Sequence, residues 1–336
     1  MRPKLFLLLA LAAPALLLAG AARAAEPLKI RIGWVAIPSE LQAVLFSHPG
    51  IARHVGTSYS LEAIRFAGTP PMITALAAGE LDIVPFAFSS LATAIENARM
   101  DDLRVISDEF QDGVAGHYTN EYMVLKDSPI RTVEDLKGKV VASNAFGSAV
   151  DLGLRAMLRK HGLEDKRDYT LVEVGFSNMK SVLLDRKVDL ISAVTPFSRD
   201  PALREGARTL FTQKEAIGQT QMIIWAARAP YIAEHRAALV DFLEDYLREL
   251  HWFTDPANQR EVAGILAKAT KLTPERFLGW VYTKDDQYRD PWGLPNLDAL
   301  QASMDLERDL GFLKTRIDVP AHSDLSLIEE AGRRLK

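Results

Sequence analysis

The sequence predicts an α/β protein made of two similar halves, and three observations predict it. Short apolar segments of strand type alternate with segments of helical periodicity along most of the chain. The strand-type segments run into loops of small or hydroxyl residues that open helices. The strand–loop–helix–strand order of residues 28–84 then returns over residues 139–194.

In the first half, Leu28-Lys29-Ile30-Arg31-Ile32-Gly33-Trp34 alternates apolar with polar residues and reads as a strand feeding the loop 35–39. Pro38 and Ser39 are helix-opening residues, so a helix is predicted through Leu41, Val44 and Leu45. Residues 59–66 predict a second strand that ends at Gly68-Thr69. Pro70 and Pro71 follow, and proline fits the first turn of a helix because that N–H has no partner in any case. The helix 72–78 stops at Gly79, and Leu81-Asp82-Ile83-Val84 is a short buried strand.

The second half repeats the order. Residues 139–142 form a strand entering the loop 143–147. Ser148 caps a helix whose apolar contacts are Leu152, Ala156 and Leu158, and Gly162 ends it. Residues 169–174 are a strand, Ser177 caps a helix over 179–184, and residues 190–194 are another strand. Residues 222–227 give the last clear strand. Beyond it, Leu239, Phe242, Leu243, Tyr246, Leu247 and Leu250 fall on one helical stripe, which is core.

The N-terminus has the form of a secretory signal. Arg2 and Lys4 precede an apolar run over 5–19, broken once by Pro14, and Ala22-Arg23-Ala24 places small residues before Ala25. A membrane span needs about 20 apolar residues, and this run falls short. Residues 1–24 are therefore expected to be removed, leaving a soluble monomer outside the cytoplasm. The 336 residues contain no cysteine, which excludes thiol nucleophiles, cysteine-ligated metals, disulfides and a lipid anchor. A net charge of −4 leaves no basic excess to hold a phosphate backbone, so no nucleic-acid partner is expected.

Enzyme motifs are absent. There is no phosphate-cradling G-x-x-x-x-G-K-[ST], no G-x-G-x-x-G after a strand and no H-E-x-x-H, so neither cofactor nor metal is expected. Gly175-Phe176-Ser177-Asn178-Met179 opens like a nucleophile elbow, but Met179 replaces the final glycine. What remains is a set of strand-end loops, at 35–39, 68–69, 144–149 and 176–178, where open α/β sheets bind ligands. Helix N-termini carry unpaired N–H groups and the positive end of the dipole. Phe146-Gly147-Ser148-Ala149 is thus a cradle for a sulfonate or carboxylate, or else Ser148 only caps its own helix. Asn144 and Asn178 would add donors, with Pro38, Thr69, Ser89 and Ser177 on the same loops. Trp34, Phe88, Phe146 and Phe197, near strand ends, are ligand walls or core. Arg199 either clamps an anion in a bidentate fork or pairs at the surface with Asp200 or Glu205.

Several segments carry a resemblance. They are Ala75-Leu76-Ala77-Ala78-Gly79-Glu80-Leu81-Asp82-Ile83, Asp135-Leu136-Lys137-Gly138-Lys139-Val140-Val141-Ala142, Gly147-Ser148-Ala149 with Leu154-Arg155-Ala156-Met157-Leu158, and Lys187-Val188-Asp189-Leu190 through Pro196-Phe197. In order and spacing the chain resembles a periplasmic solute-binding protein of an ABC importer, of the nitrate/alkanesulfonate/taurine type, related to thiamine-pyrimidine-precursor binding proteins.

The resemblance implies a type II two-lobe fold, with residues 25–117 plus 221–336 in one lobe and 118–220 in the other. It implies hinged closure on a small organic anion and delivery to an ABC permease in the inner membrane. A secreted enzyme or a pyrimidine-precursor binding protein on the same fold is the alternative. Arg186-Lys187 and Val194-Thr195-Pro196-Phe197 depart from the family pattern, so nitrate or taurine specificity does not carry over.

Overall fold

The computed structural model describes residues 26–336; the expected signal peptide and its cleavage point lie outside them. The first half supplies strands β1 (Leu28–Trp34), β2 (Tyr59–Arg65), β3 (Ile83–Ala87) and β4 (Leu103–Asp112), with helices α1 (Pro70–Ala77) and α2 (Phe88–Glu96). The middle supplies β5 (Glu121–Leu125), β6 (Val140–Ser143), β7 (Thr170–Glu173), β8 (Leu190–Ala193) and β9 (Ala207–Thr212). Its helices are α3 (Ala149–Lys160), α4 (Phe176–Leu184), α5 (Pro201–Gly206) and α6 (Gln213–Ile217). Strand β10 (Thr220–Arg228) follows, then α7 (Ala229–Thr254), α8 (Gln259–Thr270), α9 (Leu297–Asp309) and α10 (Ser326–Leu335).

Two five-stranded mixed sheets result, in the orders β2-β1-β3-β10-β4 and β7-β6-β8-β5-β9. Each has a parallel trio, continued by an antiparallel strand that pairs on both its edges. The duplication predicted from the sequence is thus a duplication of sheet architecture. The apolar stripe of α7 is buried as expected, and Trp225 of β10 lies against it, 5.5 Å from Phe242 and 4.3 Å from Tyr246 between ring centroids.

Three readings need correction. Residues 38–45 form successive turns, not a helix. Buried carboxylates hold this segment in place: Glu40 accepts from the Val35 N–H and Glu109 from the Leu41 N–H, so it is fitted to remote groups of the core that no local pattern shows. Ser177 does not cap α4; Gly175 holds that position and Ser177 lies in the first turn. The buried strand begins at Ile83 and continues to Ala87, where the chain turns at once into α2, a helix the sequence reading did not anticipate.

The chain passes between the sheets near residues 113–120 and 213–219. Gly113 has φ +77°, and a Cβ there would stand 2.8 Å from the Gly218 carbonyl oxygen. Both features demand glycine, since the left-handed region penalises a side chain and the contact is to backbone. Gly113→Ala is expected to cost about 1–3 kcal/mol of stability, read as a lower urea midpoint.

Candidate functional site

A cavity with about 60 Å³ of space open to water lies where loops of the two sheets meet. Val35, Ala36, Ser39 and Glu40 reach it from the end of β1, Phe110 from β4, and Met222 and Ile223 from β10. Asn120, Asn144, Val194 and Gln287 complete much of the wall. Four helices open on it: Thr69 is the N-cap of α1, Ala87 of α2 and Ser148 of α3, and Phe176 is the first residue of α4. Four positive dipole ends therefore converge on one mainly apolar space.

Of the candidate residues, Thr69, Asn144, Ser148 and Ala149 line this cavity. Ser148 does cap α3, accepting from the Asp151 N–H at 3.2 Å while its hydroxyl donates to Asn144 Oδ1 at 2.8 Å. Asn144 Oδ1 is thereby occupied and its amide N–H groups are left for a ligand. The Gly147 N–H donates to Asp151 at 2.8 Å and the Phe146 N–H to Glu173, so the loop ahead of Ser148 satisfies its own donors. The N–H groups of Ala149 and Val150, in the first turn, have no intrahelical acceptor. Phe146 is half exposed, with Arg155 5.9 Å over its ring.

The other candidates lie around this centre. Phe88 is fully buried in the core, and Ser89 donates to the Gly147 carbonyl at 2.9 Å, tying α2 to the α3 loop. Pro38 is buried, and its carbonyl accepts from Tyr282 and Arg289. Ser177 and Phe197 line a second hollow, which shares Val35, Ala36 and Phe176 with the cavity and also has Arg65 in its wall. Phe197 stacks on Phe176 at 6.1 Å. Trp34 lies under Arg65, and Asn178 is exposed on α4. Arg199 does not line the cavity. Its guanidinium sits 5.1 Å from the Tyr118 ring and 5.4 Å from Trp280 and donates to the Asp285 carbonyl.

Sequence reasoning missed Glu40, Phe110, Asn120, Phe176, Met222 and Gln287. Phe176 sits on a strand-end loop already singled out, Glu40 falls just past the loop 35–39 in the stretch read as a helix, and Gln287 lies in a segment with no local signal.

No lysine, arginine or histidine is in the wall, and Glu40 is its one ionisable side chain. Glu40 is buried, and desolvation together with the nearby Glu109 raises its pKa well above the usual carboxyl value, against the pull of the Val35 N–H and Arg289. Burial pushes Glu109 up to about 7, although Gln42, Trp225 and Arg289 oppose it. Arg289 donates to the Ser39 carbonyl at 2.6 Å and lies 3.8 Å from Asp286. Away from the cavity, His54, Asp241 and Glu244 offer ligand atoms within 4.8 Å of one another, but Arg334 and Arg248 already pair with the two acids.

The sequence profile of the NMT1-like family matches residues 23–267. The chain belongs to the NMT1-like family. No curated protein sequence matches this NMT1-like chain significantly. Among solved structures it is similar to the alkanesulfonate-binding protein SsuA from Xanthomonas axonopodis pv. citri bound to MOPS, with TM-score 0.68 and 21% identity over 89% of this chain and 99% of that one. It is also similar to the periplasmic nitrate-binding protein NrtA from Synechocystis PCC 6803, with TM-score 0.70 and 15% identity over 93% of this chain and 90% of that one. The desulfurization enzyme DSZB shares the fold as well, with TM-score 0.64 and 12% identity over 92% of this chain and 100% of that one. These likenesses bear out the two-lobe periplasmic-binding-protein fold of this NMT1-like chain and the resemblance read from its sequence. No described helix is long and apolar enough to cross a membrane.

Proposed function

We propose that this NMT1-like protein is the periplasmic solute-binding component of an ABC importer, that it captures a small organic anion, a carboxylate or sulfonate with an apolar or aromatic body, and that it hands this ligand to a membrane permease. The single observation that carries the anion is the convergence of the α1, α2, α3 and α4 starts on one cavity. Phe110, Phe176, Val194 and Met222 supply the apolar wall for the body. Residues 25–117 plus 221–336 and residues 118–220 act as the two lobes, and a ligand touching both favours closure. Export after cleavage between Ala24 and Ala25 places the protein where such an importer works.

Binding rather than catalysis fits the cavity hydroxyls. Ser39 is engaged by Thr195, Thr69 by Ser90 and Ser148 by Asn144, so none stands against a general base. Titration calorimetry with benzenesulfonate, benzoate, benzamide and benzylamine tests the class. The two anions should bind with micromolar affinity, about −8 kcal/mol. Binding confined to the amide or the amine would sink the anion reading. In the same assay Asn144→Ala should weaken benzenesulfonate by about 1–1.5 kcal/mol, because it removes a donor and frees the Ser148 hydroxyl from its acceptor.

A further inference from the structure

We propose that Glu40 serves the site as a proton-bearing group, donating a hydrogen bond from its carboxyl to the anionic head of the ligand, so that one buried acid makes the cavity accept anions and refuse cations. The inference rests on the anion reading above and names the side chain that sets its charge selectivity.

The geometry begins with position. Glu40 is 4% exposed, lines the cavity, and is the sole ionisable residue in the wall. Its one recorded hydrogen bond, from the Val35 N–H to Oε2 at 2.5 Å, leaves the other oxygen without a protein partner among the described residues. Gln287, likewise 4% exposed and in the same wall, spends its amide N–H on Asn120 Oδ1 at 3.1 Å and keeps only an acceptor oxygen free, so it offers the anion nothing. The free carboxyl oxygen of Glu40 is the unused polar capacity in this wall that a proton would turn into a donor.

The surroundings decide which protonation state Glu40 brings. Glu109 of β4 faces it, held by Gln42 at 2.8 Å, the Trp225 indole at 2.9 Å and the Leu41 N–H at 3.2 Å. Arg289 is the cation acting on both acids, and it is shared with Asp286, the carbonyls of Pro38 and Ser39, and the rings of Phe110 and Tyr282. Beyond them, Tyr246 of α7, Tyr282, Asp108 of β4 and Asp290 stand around Glu109 and Arg289. One guanidinium among Glu40, Glu109, Asp108 and Asp286 leaves acids in excess, and a buried acid without a counter-charge keeps its proton. A protonated carboxyl donates to a sulfonate; an ionised one repels it.

The test measures benzenesulfonate and benzylamine binding by calorimetry between pH 5 and pH 9, on the whole protein and on Glu40→Gln, whose amide keeps both the Val35 bond and a donor. Benzenesulfonate affinity should fall about tenfold per pH unit once Glu40 ionises, and the Gln variant should hold its affinity flat over the same range. A slope that Glu40→Gln leaves unchanged overturns the role of Glu40 and leaves the anion reading standing. Benzylamine binding that strengthens with pH and vanishes in the variant overturns both. A ligand-free readout stands beside this: the infrared spectrum of wild type minus Glu40→Gln at pH 7 should show the carbonyl band of a protonated carboxylic acid, and its absence overturns the proposal even where no probe binds.

Discussion

Arg289→Ala should cost the protein about 3–5 kcal/mol at pH 7, the loss expected when a buried charge pair is broken from one side. The side chain is 3% exposed and reaches into a pocket of acids and carbonyls, with donors on Pro38, Ser39 and Gln287 and the Asp286 carboxylate at 3.8 Å. Its guanidinium also lies 4.9 Å from the Tyr282 ring and 5.6 Å from Phe110. Removing it leaves Glu109 and Asp286 without their counter-charge and three carbonyls short of a donor. Arg289→Lys should recover little, because a point charge cannot serve carbonyls in several directions at once. The loss should shrink below pH 7, where Glu109, pushed up to about 7, takes a proton and no longer needs the cation. Urea unfolding at pH 5 and pH 8 reads both expectations.

The second large effect is an acid-shifted stability optimum. Glu249 is fully buried on α7 with both carboxyl oxygens unpartnered, and burial together with Asp245 raises it to about 8. Glu307, buried near Glu96, is also raised to about 8, and Asp108 to about 7. In the unfolded chain these carboxyls ionise near pH 4–4.5. Between that value and the folded one the unfolded chain binds fewer protons, so stability falls as pH rises. For Glu249 alone the penalty reaches about 3 kcal/mol at pH 7. Tm should therefore be higher at pH 5 than at pH 8. Glu249→Gln should raise stability at pH 8 while changing it little at pH 4, and a Tm that rises from pH 5 to pH 8 would contradict the account.

The same buried acids explain what sequence reading reached and what it did not. Strands β1, β2, β6, β7 and β10 and the α7 stripe were legible because their own residues carry the period that burial imposes. Strand β4 was not, since Ser107, Asp108, Glu109, Gln111 and Asp112 break any apolar run, yet all are buried. Asp112 is met nearby by Thr119 and Asn120, but the partners of the other two acids are remote: Gln221 for Asp108, Trp225 and Gln42 for Glu109. No local window contains those pairs. At the site, Ser148 was legible as a cap from its place before an apolar helix. Phe146 and Gly147 read as donors to a ligand, but Glu173 and Asp151 receive their N–H groups, which depends on how β7 and α3 fold back. Gln287 reaches the cavity from a long irregular segment after α8, where no pattern marks it.

The strand order of the first sheet also bears on how the molecule is made. Strand β10 lies between β3 and β4, and β4 has no other strand partner in the sheet. A nascent chain must therefore extend past Arg228 before this sheet can close, whereas every strand of the second sheet is present once Thr212 has been added. During that interval β3 offers an open edge of Ile83, Val84, Pro85, Phe86 and Ala87, an apolar stretch ready to pair with a foreign strand. Closing the first sheet across an inserted unit of about a hundred residues adds little entropy, because the cost grows only with the logarithm of loop length. The order of synthesis thus favours a molecule whose middle settles first and whose outer segments join around it last, and the exposed window of β3 is where a holding chaperone would be of use.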